Sequence, residues 1–101
     1  MNAISTTEIS PSAPLVTVEV RLLGQNPQGK WLIYLDSYEG IGVHAWVDAD
    51  LVLPQARPRN HARLQVPCLA THEDYAILLL PERICETQTQ FLKVHRSKIG
   101  N

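Results

Sequence analysis

Lys30-Trp-Leu-Ile-Tyr-Leu-Asp36, Ser37-Tyr-Glu-Gly40 and Ile41-Gly-Val-His-Ala-Trp-Val-Asp-Ala-Asp-Leu-Val-Leu-Pro54 follow one another without a break. The stretch holds both tryptophans, two of the three tyrosines and two of the five glycines. Trp31 to Asp36 is apolar on both faces, as a strand covered on each side would be. Ser37 to Gly40 is a connection of hairpin length. Beyond it, Ile41, Val43, Ala45 and Val47 share one face of a second strand, with His44, Trp46 and Asp48 on the other. Asp48 to Leu53 reads either as this strand continuing round a bend or as one irregular turn. The whole is the central hairpin of a β-domain.

Upstream, Val16, Val18, Val20 and Leu22 alternate with Thr17, Glu19, Arg21 and Leu23, the period of a half-buried strand. Gly24 to Gly29, with Pro27 inside, is a turn. Residues 1–14 are rich in Ser, Thr and Pro without a sustained period and read as a disordered tail. Downstream, Pro54 to Asn60 is a linker whose prolines bar a central strand. Ala62, Leu64, Val66 and Cys68 then form one face of a further strand, in which Pro67 marks an edge or a bulge. Thr71 to Asp74 is a polar turn, Tyr75 to Leu80 an apolar strand, and Phe91 to His95 a short last one. Between them, Glu82 to Gln90 reads as a helical turn or as extended chain. Five or six short strands joined by hairpin-length turns imply an all-β fold over residues 15–99: a small antiparallel meander curled into a partly open barrel, which hides edges that a flat sheet would expose.

At 101 residues the chain is one domain, long enough to bury a core without disulfides or metal. Apolar residues make up 45% and charged residues 19%, a globular composition. No apolar run approaches the roughly 20 residues of a membrane span. The first residues lack the basic and apolar regions of a signal peptide. Cys68 and Cys85 are therefore expected as reduced thiols and the location as cytoplasmic. The net charge of −1 divides unevenly: residues 1–54 carry two basic residues against six acids, and residues 55–101 seven against four. In a barrel such halves interleave, so the asymmetry reads as cross-strand pairing.

The segment Trp46-Val-Asp-Ala-Asp-Leu-Val52 resembles the Trp-x-x-x-x-Leu-Val phrasing near the end of Src-homology-type small barrels. It covers under a tenth of the chain and lies in mid-sequence. That family's acidic and aromatic ligand motif does not occur here in order, so the resemblance implies the barrel and no ligand residues. The spacing Arg59-x-x-x-Arg63 is similar to the arginine pair of PilZ domains. There the companion motif follows the pair, whereas Asp36-Ser-Tyr-Glu-Gly40 precedes it and is one residue short, so no PilZ residues carry over.

Motifs with chemistry fare poorly. Gly40-Ile-Gly-Val-His-Ala45 has the letters of a dinucleotide fingerprint but opens a strand, where that motif must open a helix to receive the pyrophosphate. Cys68, His72, Cys85 and His95 supply the donors of a structural zinc site. Their intervals of three, twelve and nine residues lack the tight pairs such modules use, and Cys68 falls on an inward face. Asp36 with Glu39, and Asp48 with Asp50, read as solvated strand ends, because calcium and magnesium draw on more oxygens. No serine or cysteine has a base that the sequence places beside it. The expectation is a protein without enzymatic activity, metal or cofactor.

What remains is recognition. Tyr34, Tyr38, His44 and Trp46 put aromatic groups opposite the core face of the hairpin, where a lone monomer would place polar ones. They point to a non-enzymatic interaction module, an adaptor or accessory subunit that binds another protein or a second copy of itself. The alternative is a nucleic-acid-binding small barrel using Arg57, Arg59 and Arg63 in the linker loop and Lys93 and Arg96 in the Lys93 to Lys98 segment. The pI of about 6.4 lies below the basic balance of such domains. No membrane partner is expected.

Overall fold

The computed structural model describes residues 13–54 and 60–100. They form eight strands: β1 (Leu15–Gln25), β2 (Trp31–Asp36), β3 (Gly42–Val47), β4 (Val52–Pro54), β5 (His61–Thr71), β6 (Tyr75–Leu79), β7 (Phe91–His95) and β8 (Ile99–Gly100). All pairings are antiparallel, and the main path through the sheet runs β3-β2-β1-β5-β6-β7, with β4 added to β5 and β8 to β1. The sheet curls into an open half-barrel. Strands β4 and β8 raise the expected five or six to eight; at three and two residues they are too short to show a period in the sequence. Asp48 to Leu53 resolves into a 3-10 turn, Ala49–Leu51, followed by β4. Among the described residues no helix is long and apolar enough to cross a membrane. The expected tail, save its last two residues, lies outside the described residues, and so do Arg57 and Arg59.

The two longest strands organise the rest. Backbone bonds Cys68 N–H to Pro14 O (2.8 Å) and Leu22 N–H to Asn60 O (2.6 Å) bracket the β1–β5 ladder. By the alternation of an antiparallel pair, even-numbered residues from 14 to 22 and from 60 to 68 bond across it, and odd-numbered ones turn their N–H and C=O to the other edge. On that edge of β5, β4 pairs Ala62 to Leu64 and β6 takes over at Cys68. Pro67, which has no N–H, sits where β4 has ended and β6 has not begun, so a proline is tolerated within a central strand. The changeover opens an apolar groove of about 430 Å³ lined by Leu15, Leu51, Pro67, Leu79 and Pro81.

The inner faces are those the alternation predicts. Val16, Val18 and Val20 of β1, Ile33 and Leu35 of β2, Val43, Ala45 and Val47 of β3, and Ala62, Leu64, Val66 and Cys68 of β5 are buried together with Ala76, Leu78, Leu92 and Val94. Two readings are corrected. Ile41 precedes β3 and is 63% exposed, because the turn through Gly40, at φ 85°, delivers the chain to the ladder only at Gly42. β2 is covered on one side alone: Ile33 and Leu35 are buried, whereas Leu32 and Tyr34 remain half-buried on the outside.

The connection from β6 to β7 is neither helix nor strand. It drops Leu80 and Ile84, both fully buried, into the core. Gln88 closes the loop in the left-handed region, φ 62°, its N–H bonding Ile84 O at 2.7 Å. This connection and β7 meet the β2–β3 hairpin across the open side of the barrel. Cys85 N–H bonds His44 O (2.8 Å) and Tyr38 N–H bonds Lys93 O (2.7 Å). Lys30, from the β1–β2 turn, forms an ion pair with Glu82.

Candidate functional site

The register of β1, β2 and β3 arranges the outer face in rows. Arg21 lies opposite Tyr34, and Tyr34 opposite His44. One row on, Leu32 lies opposite Trp46, and Leu23 fills the bulge that shifts the β1 register between Leu22 and Gly24. Leu23 is 48% exposed, and Leu32 and Trp46 are half-buried. An outward face normally alternates to polar residues. This one offers Leu23, Leu32 and Trp46 side by side, bordered by an aromatic row.

The aromatic row is held in place. The Tyr34 hydroxyl donates to Asp36 Oδ1 at 3.1 Å, and its ring meets His44 edge to face, centroids 5.3 Å apart. Hydrogen bonding to the Asp36 carboxylate, and then its charge, raise the Tyr34 phenol above its ordinary pKa. The ring lies over Gly42, where a Cβ would collide with it. Gly42→Ala is therefore expected to swing Tyr34 outward and break its bond to Asp36. The atoms displaced are the far end of a rotatable side chain, so stability should change by no more than about 1 kcal/mol. The Tyr34 phenol should titrate closer to its ordinary value, as read by an absorbance or NMR titration.

His44 is bound on both sides of its residue. Its N–H donates to Glu86 Oε1 at 2.8 Å, its Nδ1 lies 2.5 Å from Glu86 Oε2, and its C=O accepts from Cys85. The free edge of β3 is thus blocked at its middle residue, a device that discourages pairing with another chain. Bonds from His44, side chain first and backbone second, hold Glu86 below the usual carboxylate range. With a depressed folded pKa, the link is complete above the ordinary carboxylate value and is lost as pH falls through the lowered one. The amide signals of His44 and Cys85 should follow that acid transition in an NMR titration and lose it in Glu86→Ala.

The expected four aromatic residues do not form one group. Tyr34, His44 and Trp46 share the face just described. Tyr38, in the turn, joins a second cluster with Tyr75 (centroids 5.4 Å), His95 (4.5 Å) and, through Tyr75, the stacked His72 (4.5 Å). The Lys93 ammonium lies 5.2 Å from the Tyr38 ring centre and 4.6 Å from that of Tyr75, and 3.8 Å from Glu39. Arg96 donates to His72 O at 3.1 Å. Arg63 sits apart on β5, between Glu19 of β1 and Leu53 of β4.

Sequence reading missed Leu23, Leu32, Glu86 and Tyr75, and weighed His72 only as a zinc donor, whereas it stacks on Tyr75. Leu32 and Glu86 reach their partners only through the register of β2 with β3 and the path of the β6–β7 connection. The Tyr75 to His95 pairing was open to inspection as two short strands, but not its register. Among the described residues no group of three or more metal-ligating side chains converges. Cys68 is buried and Cys85 exposed, both as free thiols. Compared with protein-family models, curated proteins and solved structures, the chain shows no match in any of the three.

Proposed function

We propose that the protein is a non-enzymatic interaction module whose outer β1–β2–β3 face binds another protein. The observation that carries this reading is the row Leu23, Leu32 and Trp46, apolar and partly exposed on the side of the sheet facing away from the core. An aromatic anchor ringed by groups that exclude water is the usual form of a protein-binding hot spot. The bonded row of Tyr34 and His44 supplies a rim that loses little rotamer freedom on association. A photo-crosslinking amino acid at position 46, with position 65 on the outer face of β5 as control, tests it in extract of the source cell. A discrete product formed at 46 and absent at 65 supports the reading; equal labelling at both, or none, removes it.

A second reading, single-stranded nucleic acid, has one observation in its favour: the Lys93 ammonium beside Tyr38 and Tyr75, with Arg96 nearby. Cation and ring faces together are what a base and its phosphate require. Binding of a labelled single strand that weakens steeply with salt would support it. No binding at low salt would remove it.

A further inference from the structure

A groove of about 290 Å³, lined by Glu19, Arg21, Tyr34, Asp36, His61 and Lys98, adjoins the proposed contact face. Tyr34 belongs to both, as a wall of the groove and as part of the rim of the face. Arg21, opposite Tyr34, stands one row from Leu32, about 7 Å along the strand. A partner seated on Leu23, Leu32 and Trp46 therefore reaches the groove with its neighbouring residues.

Most charges around the apolar row are already matched within the chain. Lys30 is ion-paired with Glu82 and lies 3.8 Å from Asp48. His44 is bonded to Glu86, and Asp36 accepts from the Tyr34 hydroxyl. Glu19, two residues before Arg21 on the same face, lies directly opposite Arg63, in a pair of the non-hydrogen-bonded kind, where side chains come closest. The groups left over are of one sign. Arg21 has His61 opposite it on β5 and Tyr34 opposite it on β2, so no acid faces it across either ladder. Among the described residues no carboxylate lies within ion-pair distance of Arg21, His61 or Lys98. Arg21 and Lys98 are exposed and His61 is half-buried.

Building on the reading of the outer face as a protein-binding surface, we infer that the partner segment carries an aspartate or glutamate beside its apolar anchor, and that this carboxylate enters the groove against Arg21. A guanidinium offers a carboxylate two parallel bonds, and Lys98 and His61 line the same space. The step of about 7 Å places the acid two residues from the anchor in an extended segment, or four in a helix. Charge complementarity fixes register and suppresses wrong partners. The groove thus selects among the apolar segments that Trp46 alone would accept.

The test is selection of random peptides displayed on phage against the full chain, followed by affinity measurements on synthetic copies of those enriched. They are expected to lose binding to Trp46→Ala and to carry Asp or Glu at that spacing from an apolar residue. Arg21→Glu, shown to be folded by an unchanged ¹⁵N spectrum elsewhere, should weaken them by at least about tenfold, since like charges then meet. Lys98→Glu should weaken them as well, and Glu19→Gln should not. Replacing the acid of the peptide with lysine should restore binding to Arg21→Glu. The inference is overturned, with the contact face intact, if the peptides depend on Trp46 but carry no acid, if neither Arg21→Glu nor Lys98→Glu weakens them, or if Glu19→Gln does. Peptides indifferent to Trp46→Ala, or no enrichment at all, would remove the contact face and the inference with it.

Discussion

Ile84→Ala is expected to lower the unfolding free energy by about 2 to 5 kcal/mol, the cost of emptying a buried aliphatic site. Ile84 is fully buried, though it lies in a connection with no strand or helix. Its side chain and that of Leu80 join the β6–β7 connection to the core, while Cys85 and Glu86 join the same connection to β3. The bonds of Glu86 are surface bonds, worth little each; the burial of Ile84 is the larger contribution. The melting temperature should fall by about 10 °C or more for a domain of this size. Ile84→Val should cost only about 0.5 to 1.5 kcal/mol, and Glu86→Ala less than Ile84→Ala. Denaturant unfolding of the three variants checks the order. If Ile84→Ala proves as mild as Ile84→Val, the connection is not a structural part of the barrel.

Trp46→Ala is expected to weaken the complex with the partner captured at position 46 by at least about 2 kcal/mol, roughly thirty-fold, as truncation of a central aromatic anchor does. Trp46 is only half-buried, and its inward neighbours Ala45 and Val47 carry the packing of β3. Folding should therefore survive the change. Phe91→Ala is the matched control, because Phe91 is 56% exposed on β7 and lies outside the proposed face. It should leave affinity within a factor of about two. Titration calorimetry with the purified partner separates these outcomes, and unfolding curves confirm that both variants are folded.

Much of the barrel can be read directly from residue types. The inner faces of β1, β3 and β5 follow from strict alternation of valine, leucine and alanine, and β7 matches its expected bounds from Phe91 to His95. Ile84 gave no such signal, because the single Ile-Cys step in Glu-Arg-Ile-Cys-Glu-Thr-Gln has no period to place it. The candidate face was legible in part. His44 and Trp46 fall on the side opposite Val43 and Val47 by period two, whereas Leu23 reaches it through a bulge that local sequence does not announce. Tyr38 left the group because the turn carries it beyond the ladder, toward β7. Strands β2 and β8 share one edge of β1, and a two-residue strand from the far end of the chain cannot be seen in alternation. Of the charges divided between the halves, Glu39 in the β2–β3 turn lies 3.8 Å from Lys93 of β7, which is a turn-to-strand contact and not a cross-strand pair, and Lys30 with Glu82 joins the halves in the opposite sense.

Hydroxyl-radical footprinting of the chain, free and in its complex, tests the proposed contact face most directly. The proposal predicts that oxidation of Trp46, Tyr34, His44 and Leu23 falls on complex formation while that of Phe91, Tyr75 and His95 is unchanged. Protection of Phe91, Tyr75 and His95 with Trp46 and Leu23 still fully labelled would contradict it.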